Sequence, residues 1–195
     1  MTSELGVRER KKLAARTALT EAALKLFRED GFDATTVNDI AQLADMSPRT
    51  FFRYFDTKED VVFQDAPRQL DELRGFLRAR PASETNTAAL RAALVAFSEV
   101  LEKERQELHL RAQLARSART LAERAAIELQ NWRLALTEEL MQRPGDRDPT
   151  RCHLLAGTGV NVLTVAITLR SDGDRTLDEL TDHCWQQVAQ AVCSQ

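Results

Sequence analysis

Arg49 and Arg53 stand one helical turn apart in the run SPRTFFRYF, residues 47–55. In a helix each residue advances about 100°. With Arg49 at zero, Arg53 lies near +40° and Phe52 near −60°, by roughly that step. Phe51 and Phe55 then point about −160° and −120° away, toward the opposite side. Two guanidinium groups and one ring face outward together over an aromatic floor. A guanidinium bonds bidentately to guanine O6 and N7 in the major groove, and Phe52 suits thymine methyls. Tyr54, Thr36 and Lys58 flank this face, where phosphate oxygens would run and where contacts position without specifying. Taken alone, two arginines on a helix face are equally well served by water. A second basic group is Arg8, Arg10, Lys11, Lys12 and Arg16, opposed only by Glu9. It fits either a phosphate-gripping arm or a solvated first helical turn.

Other chemistry is sparse. The formal net charge is −3, so any grip on nucleic acid must come from local charge placement. Cys152, Cys184 and Cys193 follow no metal-ligand spacing, and His153 and His183 have no converging partners. No metal and no cofactor is expected. There is no nucleophile elbow, glycine-rich phosphate loop or paired-histidine helix, so the chain reads as no enzyme. Without a secretory signal at the start, reduced thiols and a cytoplasmic protein are expected.

The elements that must hold these residues are helices. Hydrophobic residues make up 43% of the chain and Gly plus Pro are few, which predicts an all-α fold of about nine helices. A first helix runs from about Arg8 to Asp30, with Leu19, Ala23, Leu26 and Phe27 as its apolar stripe. Gly31 ends it, with Phe32 folding back on Phe27. Thr36 and Asp39 form a capping box for the second helix, whose inner face is Val37, Ile40, Ala41 and Ala44. Asp45 takes the turn. Ser47 caps a third helix with Pro48 at its first position, ending near Phe55. Thr57 and Asp60 cap the fourth, which Pro67 breaks or bends. Longer helices follow around residues 90–101, 106–116, 121–140, 150–170 and 177–193, the last two separated at Ser171-Asp172-Gly173-Asp174. This layout predicts a helix-turn-helix head at 1–57 and a helical body at 58–195.

The stretch TTVNDIAQLADMSPRTFFRYFDTKEDVV resembles the N-terminal signature of the TetR family of transcriptional regulators, and RERKKLAARTALTEAALKLFREDGFDA resembles that family's first helix. The match covers about the first 62 residues. It implies phosphate contacts from Thr36, Tyr54 and Lys58. Pro48, Arg49, Thr50, Phe52 and Arg53 would face bases or backbone, Asn38 would approach the groove, and Arg8, Lys11 and Lys12 would grip the duplex. Family members often carry a small residue at the Arg49 position and Tyr and His at those of Phe52 and Arg53, so the operator sequence does not transfer.

The run Cys152–Leu169 approaches a membrane span in length, but Gly157, Thr158, Gly159, Asn161, Thr164 and Thr168 make it too polar for one. It is apolar nearly all round, as a helix buried on all sides would be. A central helix of a monomeric bundle satisfies this. So does a two-fold interface, which the family resemblance implies and which reads half-sites spaced by whole turns. Leu155, Gly159, Val160, Leu163, Ile167, Leu180, Cys184 and Val188 are the expected interface. Phe97, Leu101, Leu114, Trp132, Leu136 and Asn161 are candidate effector-pocket residues. The expected function is a ligand-responsive regulator, a repressor that leaves its operator when a small, largely apolar, acyl-CoA-like effector binds. The expected partners are duplex DNA, a second copy and that effector, with no membrane. A helical adaptor with little DNA binding, or an enzyme, are the other classes weighed.

Overall fold

The computed structural model describes residues 6–145, 147–170 and 175–193. The break expected at Ser171–Asp174 lies outside the described residues. Those residues form ten α-helices in two compact units. One unit comprises residues 1–64 with 114–122, and the other residues 65–113 with 123–195.

In the first unit, α1 is Val7–Glu29, α2 Val37–Leu43, α3 Pro48–Phe52 and α4 Lys58–Phe63. Each short helix starts on a side-chain cap. Thr36 and Asp39 bond reciprocally at α2, and Thr57 and Asp60 do so at α4. Ser47 accepts from the Thr50 N–H at α3, with Pro48 at a position that needs no donor. Gly31 takes φ +89°, which lets the chain reverse and set Phe32 4.9 Å from Phe27. Asp45 holds φ +54° between α2 and α3, a strained but tolerated conformation for Asp. The core is Leu19, Ala23, Phe27, Ile40, Ala41, Phe51 and Val61, all essentially inaccessible.

Lys58 ties this unit together. Its ammonium donates to the carbonyl of Phe32 at 2.6 Å and to that of Thr35 at 3.0 Å. It also lies 4.3 Å over the Phe32 ring. Arg16 reaches back from α1 in the same way, bonding Gln64 Oε1 at 3.1 Å and stacking over Phe55.

The second unit holds α5 (Ala66–Arg78), α6 (Asn86–Leu101), the first turns of α7 (Arg105–Ser117), most of α8 (Arg119–Gln142), α9 (Pro149–Leu169) and α10 (Leu177–Cys193). Pro67 sits in the first turn of α5, so the predicted fourth helix becomes two, α4 and α5. Helix α6 lies centrally, against α5, α9 and α10. Leu90, Leu94 and Phe97 from α6 meet Leu73, Leu136, Leu140, Ala156 and Val160 in one core. Helix α9 is long and apolar enough to cross a membrane by length and composition. Its inner face instead packs on α6 so closely that a Cβ on Gly159 would come within 2.9 Å of Leu90.

Charged anchors frame this core. Glu139, 3% exposed, takes Arg74 Nε at 2.7 Å and Arg78 Nε at 2.8 Å. Arg143 is buried and donates to the carbonyls of Leu77, Arg80 and Pro81, capping the end of α5 and the loop behind it. Burial pushes the Glu139 carboxyl up, but the bonds from Arg78 and Arg74 outweigh it and hold the group below the usual carboxylate range.

Lys58→Met should lower the stability of the first unit by about 1–3 kcal/mol, since a charged donor is lost to two carbonyls, and thermal denaturation would measure it. A carboxylate with a depressed folded pKa adds stability above its unfolded value, which is lost as pH falls through the folded one. Acid unfolding should therefore set in below about pH 4.3, the free glutamate value. Glu139→Gln should flatten that acid limb, and an unchanged slope in the variant would contradict this role.

Candidate nucleic-acid interface

The third helix presents the faces expected from its spacing. Phe51 is fully buried and Phe55 nearly so, at 0% and 4% exposure, while Phe52 is 55% exposed. Phe51 meets both other rings, Phe52 edge-on at 5.6 Å and Phe55 tilted at 5.4 Å. Arg49 and Arg53 are exposed beside Phe52. The helix proper is shorter than expected and ends at Phe52. A turn carries the chain on, and Phe55 N–H still bonds to the Phe51 carbonyl at 3.0 Å, keeping Phe55 under the floor.

Arg53 and Tyr54 act as a pair. The Arg53 guanidinium donates to the Tyr54 hydroxyl at 3.1 Å and lies 4.9 Å over its ring. Together they form one wall of a cleft of about 480 Å³, whose other wall is the first turns of α1 with Arg8, Glu9, Lys11 and Lys12. The basic arm and α3 are thus brought to one place, although forty residues of chain separate Lys12 from Arg53. A concave site with four cations and one carboxylate in its walls favours phosphate oxygens.

The other expected contacts are placed differently. Thr36 and Asn38 are exposed at the start of α2, but the Thr36 hydroxyl is held by Asp39 at 2.6 Å. Pro48 is exposed, and Thr50 shares its hydroxyl with Ser47 at 3.0 Å. Lys58, expected at phosphates, uses two of its N–H groups on Phe32 and Thr35, so its first role is internal.

In the second unit the expectations need correction. Gly159, Val160, Leu163, Leu180 and Cys184, assigned to a partner-facing surface, are buried in the core of their own unit. Leu155 and Ile167 are half-buried against that core, and Val188 alone of the eight is exposed. The reason is that α6 packs against the inner sides of both α9 and α10, which also pack on each other. The outward face of α9 carries Leu154, Asn161, Val165 and Leu169, with the three apolar ones 68%, 47% and 49% exposed. The candidate effector residues fare similarly. Phe97, Leu101 and Leu136 are plain core, and Trp132 packs its ring 6.0 Å from Phe97. Leu114 is buried and groups with the first unit. Asn161 is exposed, at a shallow groove with Arg133 and His153.

The cleft was not legible beforehand. Each of its halves has a local signature, but no sequence spacing says that they face each other.

Comparison with known proteins agrees with this geometry. The family model described as bacterial regulatory proteins, tetR family, matches residues 19–64. The HTH-type transcriptional regulator TcmR of Streptomyces glaucescens is 38% identical over 85 residues, 44% of this chain and 38% of its own length. The HTH-type transcriptional repressor KstR2 of Rhodococcus jostii is 39% identical over 87 residues, 45% of this chain and 43% of its own. The chain therefore matches less than half the length of these curated relatives. A crystal structure of FadR from Thermus thermophilus, described as a TetR family transcriptional repressor in complex with lauroyl-CoA, superposes with a TM-score of 0.59. It is 23% identical and covers 90% of this chain and 93% of that one, so the likeness extends the shared fold through the second unit. Residues 19–64, built as the capped three-helix head described above, carry the signature of the tetR family of bacterial regulatory proteins.

Proposed function

We propose that this protein is a ligand-responsive transcriptional regulator, a dimeric repressor that leaves its operator when an effector binds the second unit. The observation that carries the reading is the outward triad of Arg49, Phe52 and Arg53 over the buried Phe51 and Phe55. That is an element shaped for the major groove, with a basic cleft at its side. The relatives named as regulators and as a repressor support the same class.

Dimerisation is supported by the outer face of α9. Leu154, Thr158, Asn161, Val165 and Leu169 follow helical spacing, and three of them are large exposed apolar side chains. A second copy meeting this face across a two-fold axis would pair two recognition helices for half-sites one turn apart. For the effector, the neighbour in complex with lauroyl-CoA supports an acyl-bearing molecule. Release requires that the ligand bind the non-operator conformation more tightly, because only differential affinity moves the equilibrium.

The direct test is selection of bound sequences from a random duplex pool with the purified protein. A palindromic consensus is expected, and enrichment of no sequence at all would refute the reading. On the selected operator, Arg49→Ala and Arg53→Ala should each cost about 1–3 kcal/mol and relax preference at single positions. Lys12→Ala should weaken all sequences alike and lower the salt dependence by about one unit of slope. Val165→Glu should shift the protein toward monomer in sedimentation and weaken palindrome binding, with a half-site still bound.

A further inference from the structure

The second unit has an open cavity of about 340 Å³, in the size range of small-molecule sites. It lies where the first turns of α7 face the end of α9 and the start of α10. Its apolar wall is Leu108, Ile167 and Leu177. Its titratable lining is Arg105, His109 and Arg170, and among the described residues no acidic one lines it. None of these six residues belongs to the helix-turn-helix machinery.

The two arginines are held unequally. Arg170 is fixed by a two-pronged pair with Glu102, Nε lying 3.0 and 3.1 Å from its oxygens. The same carboxylate accepts the Leu177 N–H at 3.0 Å, which pins the start of α10. These bonds, the Arg170 pair above all, hold the Glu102 carboxyl below the usual range. Among the described residues Arg105 has the outer reach of that carboxylate, at 3.6 Å, and it is 55% exposed. A pair of that length and exposure contributes little, so the Arg105 guanidinium can turn to another anion at small cost. Glu102 therefore serves as the partner of Arg170, and the charge of Arg105 is left weakly countered at the mouth of an apolar hollow.

We propose that this cavity binds an amphiphilic anion, with the hydrocarbon against Leu108, Ile167 and Leu177 and a carboxylate or phosphate headgroup on Arg105 and His109. This rests on the reading that the second unit is the effector-binding unit, and it locates the site there. It also names a route for regulation. Arg105 and His109 are in the first turns of α7, and the last residues of that helix, from Leu114, group with the DNA-binding unit. An anion that repositions the start of α7 acts on an element that both units share.

The experiment is calorimetric titration of the full-length protein, without DNA, with laurate, dodecyl phosphate and dodecanol. One or both anions should bind at least about tenfold tighter than the neutral alcohol, the worth of one charged contact of ~1.4 kcal/mol. Whichever anion binds more tightly identifies the headgroup. Arg105→Glu should remove that preference and leave dodecanol binding unchanged, Arg105→Lys should keep it, and Ile167→Trp should abolish binding of all three. Circular dichroism would check that each variant is folded. Dodecanol binding as well as the anions, anion binding that survives Arg105→Glu, or no binding of any ligand would overturn the proposal. Operator release is read separately. Arg105-dependent binding without release keeps the site and removes the ligand response of the regulator, whereas release that ignores Arg105→Glu keeps the regulator and removes the site.

Discussion

A single ammonium group holds the head in its working shape. Lys58 begins α4, yet its Nζ reaches back to the carbonyls of Phe32 and Thr35 in the linker between α1 and α2. Those carbonyls belong to a tight reversal that leaves them without helical partners. By supplying their donor, Lys58 closes the chain from both sides around α2 and α3. Helix α3 is only five residues long, too short to be stable by itself. Its position depends on the ring floor of Phe51 and Phe55 beneath it and on this clasp behind it.

The second unit uses the same device on a larger scale. Its core is held by aliphatic packing around α6, but its ends are set by ions placed against backbone or against each other. Arg143 caps α5, Glu139 gathers two arginines from α5, and Glu102 joins the end of α9 to the start of α10. Buried or half-buried pairs of this kind gain little net stability over an apolar packing, but they penalise any arrangement that leaves one partner alone. They therefore define where the helices end, and with that where a hollow opens between α7 and α9.

Much of the head was legible from residue types. Thr36 with Asp39, Thr57 with Asp60 and Ser47 before Pro48 each announced a helix start and form the cap they announced, and Gly31 after α1 takes the positive φ expected of it. The division of Arg49, Phe52 and Arg53 from Phe51 and Phe55 came from the helical period alone. The second unit was less legible. Helix α9 is apolar on every side, so its sequence contained no sign of which side faces inward. Gly159 and Leu163 were assigned outward, whereas α6 takes that side and leaves Leu154, Val165 and Leu169 exposed. The cavity of Arg105, His109 and Arg170 joins positions some sixty residues apart and had no sequence signature at all.

The sequence by itself determined what is local: an all-helical chain, the caps that start and stop each short helix, and the face of α3 that carries arginine. Caps bond within three or four residues, and a helical face is set by a fixed angular step, so neither needs the rest of the molecule. Only the tertiary structure decided what depends on partners distant in the chain. It placed the basic arm of α1 opposite Arg53 and Tyr54, it turned Lys58 inward to two carbonyls, and it chose the buried side of α9. Those choices are made by packing and by the pairing of charges across the fold, which residue order does not encode in any short pattern.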